Sequence, residues 1–307
     1  MPSALDALYP DLPKTTAEGE AFESAFKLAD SALRARLSLA ESLARQAGQY
    51  QRAQLGQLRT ISTKSSPVDL VTDVDQACDK LIREGLQAAF PDDGFLTEET
   101  ANEVLWPEVL EACWVIDPLD GTTNYAHGVP HFAVSIAYCL NNAPVLGVIY
   151  DPMRDECFTA LTGFGAYLNQ QKLSVSSTSQ LSESMLATGF PYDRKTARAS
   201  NVPLFEQFMR HTRGVRRMGA AALDLAYVAA GRYDGLWEFR LAPWDIAAGM
   251  VLVQEAGGWV GAIHEKKTLE LSRKQLHVLA ANAPALRAQM QTILAENGAE
   301  LLFESES

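Results

Sequence analysis

The stretch that decides how this chain folds is WVIDPLDGTTN, residues 114–124. A short apolar run at 113–116 ends in two acids, Asp117 and Asp120, and no Lys or Arg stands beside them. Side chains at the end of a strand lie where ligands collect in α/β folds. Carboxylate oxygens are the ligands that suit Mg²⁺. The stretch therefore predicts a strand that leads into a site for metal and phosphate, although Asp-Pro followed by Asp-Gly is also typical of an ordinary surface turn.

A second segment has the same character. WDIAAG at 244–249 places Asp245 at the start of an apolar helix predicted over 245–256, which Gly257 and Gly258 end. An acid there is typical of a helix N-cap or first turn. Because Trp244 and the apolar residues that follow predict burial, this acid needs a hydrogen bond or a metal to compensate for its lost hydration.

The composition sets limits on the function. The chain has 307 residues, 47% of them hydrophobic, which is enough for a large core, and its formal net charge is −12. An acidic chain argues against nucleic acid and against an anionic membrane as partners. It would also repel a phosphate ester at long range, so a phosphate site must gather positive charge locally, and bound metal could supply it.

Other features predict the compartment. No apolar run approaches the roughly 18 residues of a membrane span, and residues 1–13 lack the pattern of a secretory signal. The four cysteines form no CxxC pair. We therefore expect reduced, buried thiols in a cytoplasmic protein.

Periodicity predicts two lobes. Residues 1–17 form a loose arm, and a helix over 18–49 ends near Gly48. A second helix at 73–90, capped by Thr72 or Asp73, and an antiparallel sheet complete a first lobe at 18–178. Alternating strands and helices form a second lobe at 179–307, after a Ser-rich boundary.

Further candidate residues surround the first stretch. Gly121 allows its backbone to approach a ligand, and its N–H with that of Thr122 would form an anion seat if residues 122–124 open a helix. Glu98, with Glu99, follows a short strand at 95–96 and could equally be a solvated charge. Asp75 reads as a first-turn helix acid.

These residues carry a resemblance to the inositol monophosphatase family, whose members are metal-dependent phosphatases related to fructose-1,6-bisphosphatase. Residues 114–124 and 244–258 resemble its two signatures, and 64–72 and 97–99 resemble two further blocks. The similarity runs from about residue 20 to about residue 290. It implies a five-layer αβαβα sandwich, usually assembled as a homodimer.

The resemblance also implies roles for single residues. Two Mg²⁺ ions, with Mn²⁺ as a possible substitute and a third, weaker ion on Glu98, would be held by Glu98, Asp117, the Leu119 carbonyl, Asp120 and Asp245. Thr122 with Asp75 would orient the attacking water, and Glu98 would assist. The substrate would contact Asp120, Gly121, Thr122, Ala221, Glu238 and Asp245, and Lys64 would lie on a loop that closes over the metals.

The implied function is Mg²⁺-dependent hydrolysis of myo-inositol monophosphate by metal-activated water, with sensitivity to lithium. The D-x-x-D spacing argues against a covalent aspartyl-phosphate. Histidinol phosphate, a sugar phosphate or a nucleotide 3′-phosphate are alternative substrates. A regulatory binding protein that retains the fold is a further alternative, and its contact surface would be a basic cluster, Arg210, Arg213, Arg216 and Arg217. None of the five histidines is spaced as a zinc ligand pair.

Overall fold

The computed structural model describes residues 19–57, 61–63, 70–101, 109–191, 201–263, 269–297 and 299. The predicted arm at 1–17 and Lys64 lie outside these residues. Among the residues described, no helix is both long enough and apolar enough to cross a bilayer.

Seven α-helices are found in the described part of the chain. They are α1 (Gly19–Gln54), α2 (Asp73–Ala89), α3 (Thr122–Ala126), α4 (Val202–His211), α5 (Ala221–Ala229), α6 (Pro243–Glu255) and α7 (Pro284–Glu296).

The strands form three sheets. A two-stranded hairpin pairs β1 (Ile61–Thr63) with β2 (Leu70–Thr72). The seven-stranded sheet contains, in spatial order, β3 (Gly94–Thr97), β4 (Ala112–Asp120), β5 (Ala133–Leu140), β6 (Ala143–Asp151), β7 (Glu156–Leu161), β8 (Gly165–Leu168) and β9 (Gln171–Lys172). The five-stranded sheet has the order β11 (Gly214–Arg216), β10 (Met185–Thr188), β12 (Gly235–Leu241), β14 (Leu276–Ala281) and β13 (Trp259–Ala262).

The helices and sheets stack in five layers. Helices α1 and α2 cover one face of the seven-stranded sheet, and α6 packs on its other face. Helix α5 lies beside α6 and also contacts the five-stranded sheet, whose outer face is covered by α4 and α7. This is the αβαβα sandwich that the family resemblance implied, and the fold class is confirmed.

The central layer joins the two lobes. One hydrophobic core contains residues of both sheets together with the apolar faces of α5 and α6. The boundary expected at 178/179 falls between β9 and β10. The division into two lobes stays a prediction, because this core includes residues from both sides of the boundary.

Three element boundaries differ from the sequence prediction. Helix α1 continues past Gly48, whose missing side chain makes room for the Tyr150 ring, so this glycine serves close packing and does not end the helix. Strand β4 continues through Asp120. Helix α6 begins at Pro243, two residues before Asp245, since proline is favoured at the first helical position.

Helix α1 is tied to the strand that leads into the site. Arg36 forms a bidentate ion pair with the buried Asp93, which also accepts hydrogen bonds from the Trp114 and Tyr138 side chains. At the far end of the helix, the buried Gln51 donates from Nε2 to the Pro118 carbonyl over 2.7 Å. Both contacts fix the position of β4, and the second holds its last residues directly.

The seven-stranded sheet and α6 meet at a glycine. A Cβ on Gly147 of β6 would lie 2.4 Å from the Ala248 carbonyl oxygen and 2.9 Å from the Ala248 Cα. Backbone atoms in the middle of a packed helix cannot move aside without displacing the helix. Gly147 is therefore a condition for the close approach of α6 to the sheet.

We expect Gly147→Ala to destabilise the fold by about 2 kcal/mol or more, because overpacking of a core costs about 1–3 kcal/mol and here the obstacle is backbone. Urea unfolding measures this. Gly94→Ala is the matched control, since its Cβ would lie no closer than 3.5 Å to any neighbour. Equal stability of the two variants would contradict the close approach of α6.

Candidate active site

The two acids of the first stretch lie at a bulge in β4. Asp117 pairs with Ser135 and Asp120 pairs with Ala133, so three steps along β4 correspond to two along β5. A bulge adds a residue and turns the side chains that follow it. Both Asp117 and Asp120 are buried, with 2% and 7% of their surface exposed. The surface-turn interpretation of these residues is therefore wrong, because sheet pairing continues through them.

Two further acids are brought to the same end of the sheet. Glu98 directly follows β3, which runs parallel to β4, and its N–H donates to the Ile116 carbonyl. Asp245 stands in the first turn of α6, and Ser135 Oγ donates to the carbonyl of the adjacent Trp244 over 3.1 Å. This bond places the beginning of α6 over the part of β5 that pairs with Asp117.

Backbone N–H groups orient three of the carboxylates. Asp117 Oδ1 accepts from the Leu119 N–H over 2.9 Å, and Asp120 Oδ2 accepts from the Ala222 N–H over 2.8 Å. Asp245 Oδ2 accepts from the Ala242 N–H over 2.7 Å. Each of these bonds engages one oxygen, so the other oxygen of each carboxylate is a possible ligand for a cation. Asp120 thereby also links β4 to the start of α5.

The acids act on one another electrostatically. Burial, and then the charges of Glu98, Asp120 and Asp245, raise the pKa of Asp117 well above its usual value. Burial and then Asp120 and Glu98 raise the pKa of Asp245 in the same way. Burial and the charge of Glu98 raise the pKa of Asp120 to about 7, although its backbone hydrogen bonds oppose this shift.

No Lys or Arg is among the principal groups that set the pKa values of these three aspartates. Mutual repulsion of this kind is relieved by protons or by a cation. The donor set is made of oxygen atoms only, which suits Mg²⁺ or a similar hard ion. Within the described ranges, no group of three or more His, Cys, Asp or Glu side chains stands in metal-binding geometry.

A hydroxyl–carboxylate pair lies beside the acids. Thr122 opens α3, and its Oγ1 lies 3.0 Å from both Asp75 Oδ1 and the Leu119 carbonyl oxygen, to one of which it can donate at a time. Asp75 is fully buried, and its other oxygen accepts from the Thr72 N–H as part of the capping box of α2. Asp75 is therefore a first-turn acid, as its position predicted, and in addition a partner of Thr122.

Gly121 makes the turn between β4 and α3. Its φ is +92°, a conformation that L side chains rarely adopt, and a Cβ there would lie 3.1 Å from the His131 carbonyl oxygen. Helix α3 begins at Thr122, so residues 122–124 do open a helix. Asn124 of this helix donates from Nδ2 to the carbonyls of His131 and Met218, each over 2.8 Å, and so joins the turn to the segment before α5.

The remaining predicted contacts lie on the side of the five-stranded sheet. Ala221 is the first residue of α5, and Glu238 lies in β12. Burial and then the charge of Asp120 raise the pKa of Glu238 to about 8. Burial and then Glu238 and Asp120 raise the pKa of Asp224 well above its usual value, and its Oδ1 has no hydrogen-bond partner.

Sequence reasoning missed Asp224 and Gln51. A single acid inside the apolar run AAALDLAYVAA was the signal for Asp224. No local signal identified Gln51, because its partner Pro118 is 67 residues away.

The basic cluster is divided among α4, β11 and the connections on either side of β11. Arg210 lies on α4 and pairs with Glu206 on the same exposed face, whereas Arg216 lies on β11. Arg213 and Arg217 lie on the connections on either side of β11, and all four side chains are exposed. All four cysteines are buried and free, as predicted.

Comparison with known proteins agrees with this geometry. The model of the inositol monophosphatase family matches residues 32–299, and the chain belongs to that family. An inositol-1-monophosphatase of Synechocystis sp. is 42% identical over 240 residues, which are 78% of this chain and 82% of that protein. The Nus factor SuhB of Pseudomonas aeruginosa is 44% identical over 260 residues, which are 84% of this chain and 95% of that protein.

Solved structures give the same result. The inositol monophosphatase of Anabaena superimposes with a TM-score of 0.76 at 40% identity, over 86% of this chain and 97% of that one. The SuhB protein of Bartonella henselae has the same TM-score at 38% identity, over 85% of this chain and 98% of that one. The family consists of metal-dependent phosphatases, so the chain is a phosphatase by family.

The acid cluster predicts an unusual pH dependence of stability in a chelator. Because the pKa of Asp117 is higher in the folded state, the folded state binds more protons than the unfolded chain above about pH 4. The free energy of unfolding should therefore fall as the pH rises above about 4. Asp117→Asn removes one buried charge, and we expect it to raise the free energy of unfolding at pH 8.

The measurement is urea unfolding in EDTA at pH 5 and pH 8. Asp92→Asn makes the same charge change at an exposed position and serves as control. An Asp117→Asn variant that is less stable than wild type at pH 8 would contradict the repulsion described here.

Proposed function

We propose that the chain is a Mg²⁺-dependent phosphatase that hydrolyses myo-inositol monophosphates to inositol and phosphate. The observation that carries the proposal is the meeting of Glu98, Asp117, Asp120 and Asp245 at one end of β4, with no Lys or Arg among the principal groups acting on the three aspartates. The similarity to proteins named inositol-1-monophosphatase supports the choice of substrate. A homodimer, cytoplasmic location and sensitivity to lithium belong to the same proposal.

The four carboxylates and the Leu119 carbonyl would hold two Mg²⁺ ions, with Mn²⁺ as a possible substitute and a third, weaker ion on Glu98. Bound ions of this kind neutralise charge on the transferring phosphate and lower the pKa of water. Phosphoryl transfer otherwise depends mainly on positioning. The backbone hydrogen bonds to Asp117, Asp120 and Asp245 would supply that positioning, because each fixes one oxygen and so restricts the orientation of the other.

Thr122 and Asp75 would orient the attacking water. When the Thr122 hydroxyl donates its hydrogen bond to Asp75 Oδ1, the lone pairs of Oγ1 can accept a hydrogen bond from water. A proton leaving the water could pass to Oγ1 as the hydroxyl proton passes to Asp75. Because Asp75 is held by the Thr72 N–H, the acceptor stays in place during the transfer. The Gly121 and Thr122 N–H groups would hold phosphate oxygens, and Lys64 lies outside the described residues.

The substrate's hydroxyl groups would meet a second set of residues. Ala221, Asp245 and Glu238 lie on α5, α6 and β12, and with Asp120 of β4 they would form the side of the site that meets these hydroxyls. Carboxylates that accept hydrogen bonds from several hydroxyls favour a polyol over a nucleotide. Histidinol phosphate, sugar phosphates and nucleotide 3′-phosphates are the alternative substrates, and kcat/KM over a panel of these esters discriminates among them.

The metal ligands can be tested by charge removal. We expect Asp117→Asn and Asp245→Asn each to lower kcat/KM on inositol 1-phosphate with Mg²⁺ by about 10³-fold or more, because the ions lose a charged ligand. The same variants should lose the rise in melting temperature that Mg²⁺ gives the wild type. Asp92→Asn should keep both properties, and near-normal activity in either site variant would refute the assignment.

The water-orienting pair can be tested with matched variants. Thr122→Val removes the hydroxyl at nearly constant volume, and we expect kcat to fall by about 10²–10⁴-fold, the range of general acid–base effects. Thr122→Ser restores the hydroxyl and should restore most of kcat. Equal losses in the valine and serine variants would assign Thr122 to packing.

A second candidate function is a regulatory binding protein that keeps the fold. The relative from Pseudomonas aeruginosa is named Nus factor SuhB. The exposed arginines at 210–217 could contact an acidic partner. A pull-down that survives Asp117→Asn but fails when Arg216 and Arg217 are reversed to Glu would favour it.

A further inference from the structure

We propose that Gly189 is a specificity-determining residue, because the space left by its missing side chain is the seat of the Glu238 carboxylate. This inference rests on the proposed function, in which Glu238 accepts hydrogen bonds from the substrate's hydroxyl groups. It adds a residue that directly follows β10, a strand that carries none of the proposed metal ligands.

The geometry is direct. An ideal Cβ built on Gly189 would lie 2.3 Å from Glu238 Cδ and 2.7 Å from Oε2, and Oε1 would be closer still. These three carboxyl-group atoms are the nearest to that position. Strands β10 and β12 run parallel, with Thr188 paired to Trp237, so Gly189 and Glu238 are the next residues along this pair of strands. Any side chain at 189 must therefore displace the carboxylate.

The backbone at Gly189 is held in place, so it cannot move away from Glu238 to make room for a side chain. Its carbonyl accepts from Asn201 Nδ2 over 2.7 Å, and the same Nδ2 lies 2.9 Å from Thr188 Oγ1. Thr188 Oγ1 donates to the Trp237 carbonyl over 2.6 Å, and Trp237 Nε1 donates to Asn201 Oδ1 over 2.9 Å. All three side chains have at most 1% of their surface exposed. A closed, buried network of this kind holds the end of β10 rigidly against β12.

In this seat Glu238 is close enough to Asp120 for the two carboxylates to act on each other electrostatically. The carboxylate lies within electrostatic range of Asp120, and Asp224 lies within range of both. Glutamate has three side-chain torsions, so an alanine at 189 would be accommodated by rotation of Glu238 and not by unfolding. The expected effect is therefore weaker recognition of the substrate. A site that hydrogen-bonds a substrate hydroxyl discriminates strongly among substrates, and it loses that discrimination when the acceptor carboxylate moves.

A double-mutant cycle tests the inference. Wild type, Gly189→Ala, Glu238→Ala and the double variant are assayed with inositol 1-phosphate and Mg²⁺. We expect Gly189→Ala to raise KM about tenfold while kcat changes less than about threefold, the scale of one lost hydrogen bond to a charged group. The double variant should match Glu238→Ala within about twofold, because the glycine matters only through that carboxylate.

The control and the contrary outcomes are distinct. Gly94→Ala, whose Cβ meets no atom closer than 3.5 Å, should leave KM unchanged. An unchanged KM in Gly189→Ala, or losses that multiply in the double variant, would overturn the inference. A general structural defect would lower kcat or the melting temperature and leave KM in place, and that outcome also counts against it.

Failure of the proposed function is recognised separately, in the wild type. If the wild type does not hydrolyse inositol 1-phosphate, the proposed substrate is wrong, and the same cycle is run on the hydroxylated ester with the highest kcat/KM in the panel. If the wild type is active and Gly189→Ala has the same KM as the wild type, the result counts against the role of Gly189 alone.

Discussion

The burial of several carboxylates at one end of β4 is the constraint on which the rest of this structure depends. Asp117 and Asp120 are almost fully buried, and the charges of Glu98, Asp120 and Asp245 add to burial in raising the pKa of Asp117. Like charges held together away from water are costly unless a cation joins them. The surrounding hydrogen bonds offset part of this cost, because backbone N–H groups from three separate segments each hold one carboxylate.

The five-layer arrangement follows from the need to bring those segments together. β3 and β4 supply Glu98, Asp117 and Asp120 from one sheet, and α6 supplies Asp245 from the central layer. Close approach of that layer depends on small residues, since Gly147 meets the backbone of Ala248 and Gly249 meets the Leu225 side chain. Gly147 of β6, Gly249 of α6 and the alanines of both helices therefore have a functional consequence: they allow the beginnings of α5 and α6 to lie against the end of β4.

The sequence identified acids that the fold brings together more accurately than it located the boundaries of the helices and strands. Asp117, Asp120 and Asp245 could be identified because acids that end apolar runs are conspicuous, and the resemblance to a family added Glu98, Asp75 and Glu238. The bulge at 117–120 could not be predicted, because it depends on the register of β5, which is far away in sequence. For the same reason Gly48 was misjudged as a helix end, and the seat that Gly189 provides for Glu238 was not visible. Each of these features depends on a contact between segments that are far apart in sequence. The local sequence pattern does not identify the segment that makes the contact.

The most direct test of the account is anomalous diffraction from a crystal grown with Mn²⁺ in place of Mg²⁺. The account predicts two or more anomalous peaks bounded by Glu98, Asp117, Asp120 and Asp245, with one oxygen of each aspartate still accepting its backbone N–H. A crystal with Mn²⁺ in solution and no peak among these carboxylates, or with peaks only at other surfaces, would contradict it.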